Sequence, residues 1–333
     1  MRILVTGGGG FLGLAVVREL LARGHAPCSA SRDSHAALDA LGVESVRVDL
    51  GAEDAGATLR ELRPFDAVIH TAAKAGVWGP AEEYERANVV GTRNLLQACL
   101  ERGVTRLVHT SSPSVCFDGK DHLRAGNDLP YGERFLAAYP RTKAAAEKLV
   151  LKANGRSGLA TCALRPHLLI GPGDPHLVPR LLERARARRL AIVGRGDNEV
   201  SLTYVDNAAA AHVDALEALD SPAARHAGRP YFLGQREPVR LWDWIDELLA
   251  ALDLPRARRR IPYPVAFAAG GACELLWNAL RLSGEPPMTR FVAAQLAASH
   301  SYDVGPAERD FGYRERVPLA EGTARVVEAF RSL

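Results

Sequence analysis

Arg2-Ile3-Leu4-Val5-Thr6-Gly7-Gly8-Gly9-Gly10-Phe11-Leu12-Gly13 stands almost at the start of the chain, and its reading decides the fold. Residues 2–6 form a short apolar run of strand type, and residues 12–23 carry the periodicity of an amphipathic helix. Between them Gly7, Gly10 and Gly13 lie at GxxGxxG spacing. Glycine there allows a tight turn, close approach of backbone to a pyrophosphate, and close packing of helix on strand. The helix start, with Phe11 and Leu12, offers free N–H groups and a positive dipole end to the phosphates. A dinucleotide site is therefore expected; the alternative, a turn that is merely glycine-rich, does not explain the strand before it and the helix after it.

Working outward, strand-like runs recur at 26–31, 45–48, 66–70, 105–110 and 160–164, with helical patterns at 52–62, 81–102 and 141–154. Such alternation implies parallel βαβ units with right-handed crossovers. The expected class is α/β: a Rossmann-type, doubly wound parallel sheet over residues 1–166. A smaller mixed α/β lobe for substrate is expected over 167–333. Pro166, Gly171, Pro172, Gly173 and Pro175 mark the change, and residues 201–219 read as one more strand–helix unit returning to the first domain.

The chain has 333 residues, 47% hydrophobic and 24% charged, with a net charge of +3. That balance suits a globular protein and gives no ground for nucleic-acid binding; the arginine runs at 184–189 and 256–260 read as solvated faces. Five cysteines stand singly, without a CxxC pair, as expected in a reducing, cytoplasmic compartment. No signal peptide is read at the N-terminus. The most apolar stretch, 262–282, is broken by prolines, glycines and charges, so membrane contact is peripheral at most, and the segment is read as core, partner surface or membrane-facing. No cluster has metal-ligand spacing, and no metal is expected.

Cofactor choice is read at the end of the second strand, where an acidic residue would select NAD and repel a 2′-phosphate. Here Arg32 follows Ser31, which favours NADP(H), while Asp33 leaves NAD(H) open. Asp49 and Leu50 follow the third strand, placed to meet adenine; a helix cap is the other reading of Asp49. Tyr139 and Lys143 are spaced i, i+4 at the mouth of the helix over 141–154, on one face. A lysine ammonium beside a phenol, with an oxidised nicotinamide, favours phenolate and makes tyrosine an acid–base group near neutrality. Ser112 stands at the end of the fifth strand, where a hydroxyl can donate to a substrate oxygen.

These motifs together resemble the extended short-chain dehydrogenase/reductase superfamily over nearly the whole chain. The match rests on residues 6–13, Asp49-Leu50, His70-Thr71-Ala72-Ala73, Asn88-Val89-Val90-Gly91-Thr92, Thr110-Ser111-Ser112, Tyr139/Lys143, Leu164-Arg165-Pro166 and Tyr204-Val205-Asp206-Asn207. The resemblance implies Ser112, Tyr139 and Lys143 as catalytic residues, with Ser111 supporting the strand end and Ser114 facing substrate. It implies Ala72, Ala73 and Lys74 bordering the cofactor, Asn88 ordering the central helix, and Pro166 leading into the nicotinamide pocket. It also implies a homodimer through the helices at 81–102 and 141–154.

Within that superfamily the chain is most similar to the 3β-hydroxysteroid dehydrogenase-like branch, and there to reductases of 2-alkyl-3-oxoalkanoates in bacterial long-chain olefin synthesis. Residues 73–79, Tyr139-Pro140-Arg141-Thr142-Lys143, Arg165-Pro166-His167-Leu168 and residues 284–290 carry this narrower likeness. It implies an amphiphilic β-keto acid substrate, NADPH, and assembly with a β-lactone synthetase and a β-lactone decarboxylase. His167 is read either as facing the pocket or as packed, and Arg195 either as reaching a substrate carboxylate or as solvated. Cys116-Phe117-Asp118 departs from the Tyr-Gly that many extended members carry, which counts against sugar-nucleotide chemistry. The rival readings are a hydroxysteroid oxidoreductase, a nucleotide-sugar epimerase or dehydratase, and a non-catalytic NADP(H) sensor.

Overall fold

The computed structural model describes residues 1–221 and 223–331. The main sheet contains strands β1 (Arg2–Thr6), β2 (Ala26–Ser31), β3 (Glu44–Arg47), β4 (Ala67–His70), β5 (Arg106–Thr110), β6 (Ala160–Pro166) and β7 (Pro230–Leu233). All pairings are parallel, in the spatial order β7-β6-β5-β4-β1-β2-β3. Side chains alternate between two cores, as strand geometry requires. Ile3, Val5 and Ile69 face α1 (Phe11–Ala22), whereas Leu4, Val68 and Leu107 face α2 (Gly91–Glu101) and α3 (Ala138–Lys152). A sheet covered on both faces explains why Ile3, Leu4 and Val5 are all fully buried. The order reverses between β1 and β4, and that switch point opens a crevice at the carboxyl ends of the strands.

The expected division of the chain needs correction. β7 comes from the part assigned to the second lobe; Pro230 opens it, which an edge strand tolerates. Conversely, residues 122–125 leave the first part and pair with His300–Tyr302 in the small lobe. Of the returning unit only the helix returns: α4 (Val205–Ala218) contributes Ala208, Ala209 and Ala211 to the core shared with α1. Thr203–Tyr204 pairs instead with Leu169–Ile170, outside the main sheet. Two-residue ladders leave almost no periodicity to read.

The central helix is not one helix. It runs Ala81–Tyr84, widens into a π turn over Glu85–Val90, and resumes as α2. α3 begins at Ala138, earlier than Arg141, because Pro140 falls in its first turn, where a missing N–H costs no bond. Residues 262–282 largely form α5 (Tyr263–Ala279), which buries only Ala266, Gly270 and Glu274, one narrow stripe against α6 (Arg290–Ala297). Val265, Leu275, Leu276, Leu280 and Leu282 stay exposed. Among the described residues, no helix is long and apolar enough to cross a membrane.

Candidate active site

The glycine turn is tight and closely packed. Gly7 has φ 71°, and its amide donates to Ala30 O at 2.8 Å. A Cβ on Gly13 would lie 2.1 Å from Gly7 O, so only glycine lets α1 sit this close to the turn. Gly10 precedes α1, and no side chain caps its first turn, which leaves the amides of Phe11, Leu12 and Gly13 directed at an anion. That uncapped cradle fits a dinucleotide pyrophosphate. Ala72, after β4, borders it, 2.9 Å from where a Cβ on Gly7 would stand, and Ala73 and Lys74 follow; Thr71 Oγ1 donates to Thr6 O at 2.8 Å, tying the two turns together. Lys74 also pairs with Glu83.

At the far end of the cradle Arg32 is exposed after β2, and Arg47 Nε donates to its carbonyl, bringing two guanidinium-bearing residues to one edge. His35 was missed in the sequence: its ring lies over Gly9, where a Cβ would come within 2.0 Å of it. Asp49 does not cap a helix. Its carboxylate accepts from Gly51 N at 3.0 Å and Arg86 Nη1 at 2.6 Å, and Leu50 is buried in the core.

Ser112 ends the strand region as the cap of a 3₁₀ turn, Pro113–Cys116. Its Oγ lies 3.0 Å from Ser114 Oγ, and it stands close enough to the Tyr139 phenol to favour the ionised form. Burial pushes that phenol up from its ordinary range, against the effect of Ser112, so the expected depression by lysine is not met here. The reason is where Lys143 points. Its ammonium donates to Thr110 O and lies 3.4 Å from His109 Nε2, beneath the site. Burial brings Lys143 down to about 8, opposed by Glu147.

Three histidines that the sequence reading gave no role hold this floor. Thr92 Oγ1 donates to Asn88 O at 2.6 Å, so it accepts from His70 Nε2–H at 2.9 Å. His70 Nδ1 then accepts from Thr6 Oγ1 at 2.6 Å, which links the glycine turn to the π turn. His212 Nδ1 donates to Ala208 O, leaving Nε2 to accept from Thr110 Oγ1 at 2.8 Å. Burial holds His70 down to about 3 and His212 to about 4, and His109 well below its usual value, so all three stay neutral. Asn88, turned by the π turn, donates to Thr142 Oγ1 and Lys74 O, and accepts from Lys74 N at 2.7 Å. Its role is to join the cofactor border to the helix that carries Tyr139.

Tyr139 opens onto a cavity of about 620 Å³ whose walls include Val77, Trp78, Tyr84, Leu136, Trp277 and Leu282. Nothing in the sequence pattern joined these distant segments. Pro166 ends β6, buried. His167 is buried away from this cavity: its Nε2 donates to His300 Nδ1 at 2.6 Å, because His300 Nε2 is committed to Gln295 O. Arg195 stands in solvent beside Asp197 and does not line the cavity. Among the described residues no group of His, Cys, Asp and Glu is arranged to hold a metal.

Comparison with known proteins agrees with this geometry. The profile of the 3-beta hydroxysteroid dehydrogenase/isomerase family matches residues 4–265. The chain is 49% identical over 328 residues to a 2-alkyl-3-oxoalkanoate reductase of Stenotrophomonas maltophilia, covering 98% of both chains. It is 42% identical to a protein of the same name from Shewanella oneidensis, covering 97% of this chain and 84% of that one. MoeE5, solved with UDP-glucuronic acid and NAD, superposes over 100% of both chains with a TM-score of 0.73 at 29% identity. The chain belongs to the 3-beta hydroxysteroid dehydrogenase/isomerase family, as an NAD(P)-dependent oxidoreductase of the extended short-chain dehydrogenase/reductase type.

Proposed function

We propose that this enzyme uses NADPH to reduce the 3-keto group of a long-chain 2-alkyl-3-oxoalkanoate to the 3-hydroxy acid, in long-chain olefin synthesis. One observation carries the reading: Tyr139 opens onto a cavity with both apolar and basic walls, in a chain that aligns nearly end to end with reductases so named. Arg32, with Arg47 beside it, favours the 2′-phosphate of NADPH. On this reading the hydroxy acid passes to a β-lactone synthetase and then a β-lactone decarboxylase.

The bound dinucleotide supplies the hydride to the keto carbon. The chain's own residues do the rest. Ser112 and Tyr139, close together at the end of β5 and the start of α3, offer two hydroxyls to one ketone oxygen. Tyr139 gives that oxygen its proton, which its raised pKa keeps available at neutral pH. Lys143, one helical turn on, holds its cation beneath the site at Thr110 O and steadies the strand end that leads to Ser112. A dehydratase needs an acid–base pair beside the serine, and the buried Pro113 and Ser114 occupy that place.

Tyr139→Phe is the test. The variant should lose ketone reduction by roughly two to four orders of magnitude, as expected for a lost general acid, while binding NADPH about as well as the parent. Reduction at the parent rate would remove the assignment.

A further inference from the structure

The cavity beside Tyr139 carries a feature that ketone reduction alone does not use. A 3-oxoalkanoate brings a carboxylate into this space, and a charge partly removed from water is favoured by a partner there. Two arginines line the cavity. Arg290 is already neutralised: its Nε and Nη2 both lie 2.7 Å from Glu274 Oε2, and its backbone N donates to Oε1. Arg281 makes no ion pair among the described residues. It stands just past the end of α5 with φ 49°, a left-handed conformation that costs an arginine energy glycine would be spared.

One helical turn before it, Trp277 also lines the cavity. A free guanidinium beside it on the cavity wall is complementary to a carboxylate, which accepts from its fork. Around them Trp78, Leu136 and Leu282 supply apolar wall for alkyl arms.

We propose that Arg281 anchors the substrate's carboxylate, taking the part that the sequence offered to Arg195. The proposal rests on the reading of the substrate as a 3-oxo acid. Ordinary solvation of a helix-end cation is the competing account of Arg281, and it predicts no dependence on the carboxylate.

NADPH oxidation is measured with a 2-alkyl-3-oxoalkanoate and with its methyl ester, for the parent enzyme, Arg281→Met and Arg281→Lys. For the acid, Arg281→Met should raise KM roughly tenfold or more, the loss expected for a hydrogen bond to a charged group, with kcat little changed. For the ester, KM should move less than about twofold, and Arg281→Lys should recover part of the acid's affinity as a point charge without the fork. An unchanged KM for the acid, or equal rises for acid and ester, overturns the anchor while leaving the reductase reading intact. If the parent reduces neither compound, the substrate reading falls and the anchor falls with it.

Discussion

Lys143 is held from below by Thr110 O and by His109, with His70 and His212 close by. Those histidines stay neutral down to acid pH, and Tyr139 holds its proton into the alkaline range. Lys143 is therefore the group of the site's floor that titrates in the working range. Its pKa is lowered to about 8, so the ammonium is present below that pH and is lost as pH rises through it. Ketone reduction should accordingly be level through neutrality and fall through about pH 8, and the residual rate of Lys143→Met should lack that limb. A parent rate still level at about pH 10, where an ordinary lysine titrates, would contradict this. The proposed catalytic residues were legible because the chemistry assigned to them needs fixed types at fixed spacing. The histidines were not, since a histidine inside a strand is usually packing, and only the three-dimensional partners fix its tautomer.

At the scale of elements, α3 owes its position to an ion pair buried beneath it. Glu147, one turn beyond Lys143, accepts from Arg165 Nε at 3.0 Å and Nη2 at 2.6 Å, and from Tyr131 at 2.6 Å. Both charged side chains are essentially inaccessible, at 1% and 0% exposure. Removing one partner strands the other charge. Glu147→Ala should destabilise the protein by about 3–5 kcal/mol in urea unfolding, and adding Arg165→Met should restore much of the loss. Little change in the single variant would show that the pair does not support α3. Elements with long patterns, β1, α1 and α4, could be read from sequence. The π turn at Asn88 could not, because one extra residue per turn barely alters the apolar period, and β7 was hidden by its four-residue length and opening proline.

At the scale of the molecule, the two lobes exchange segments. β7 reaches from the later part into the main sheet, and residues 122–125 cross the other way, so the cavity is walled by segments far apart in the chain. That is why the sequence pointed to the catalytic side of the site and missed its substrate side. α5 leaves most of its apolar surface uncovered near the cavity, and Trp277 and Leu282, which belong to this region, line it. Long alkyl arms would gain from such walls about 0.8 kcal/mol per buried methylene, which predicts a steep dependence on chain length. The decisive measurement is kcat/KM for NADPH-dependent reduction of 2-alkyl-3-oxoalkanoates of increasing arm length, beside a 3-ketosteroid and a nucleotide sugar. The account predicts kcat/KM rising with arm length and exceeding that for either other substrate; a flat series, or faster reduction of the steroid or the sugar, would contradict it.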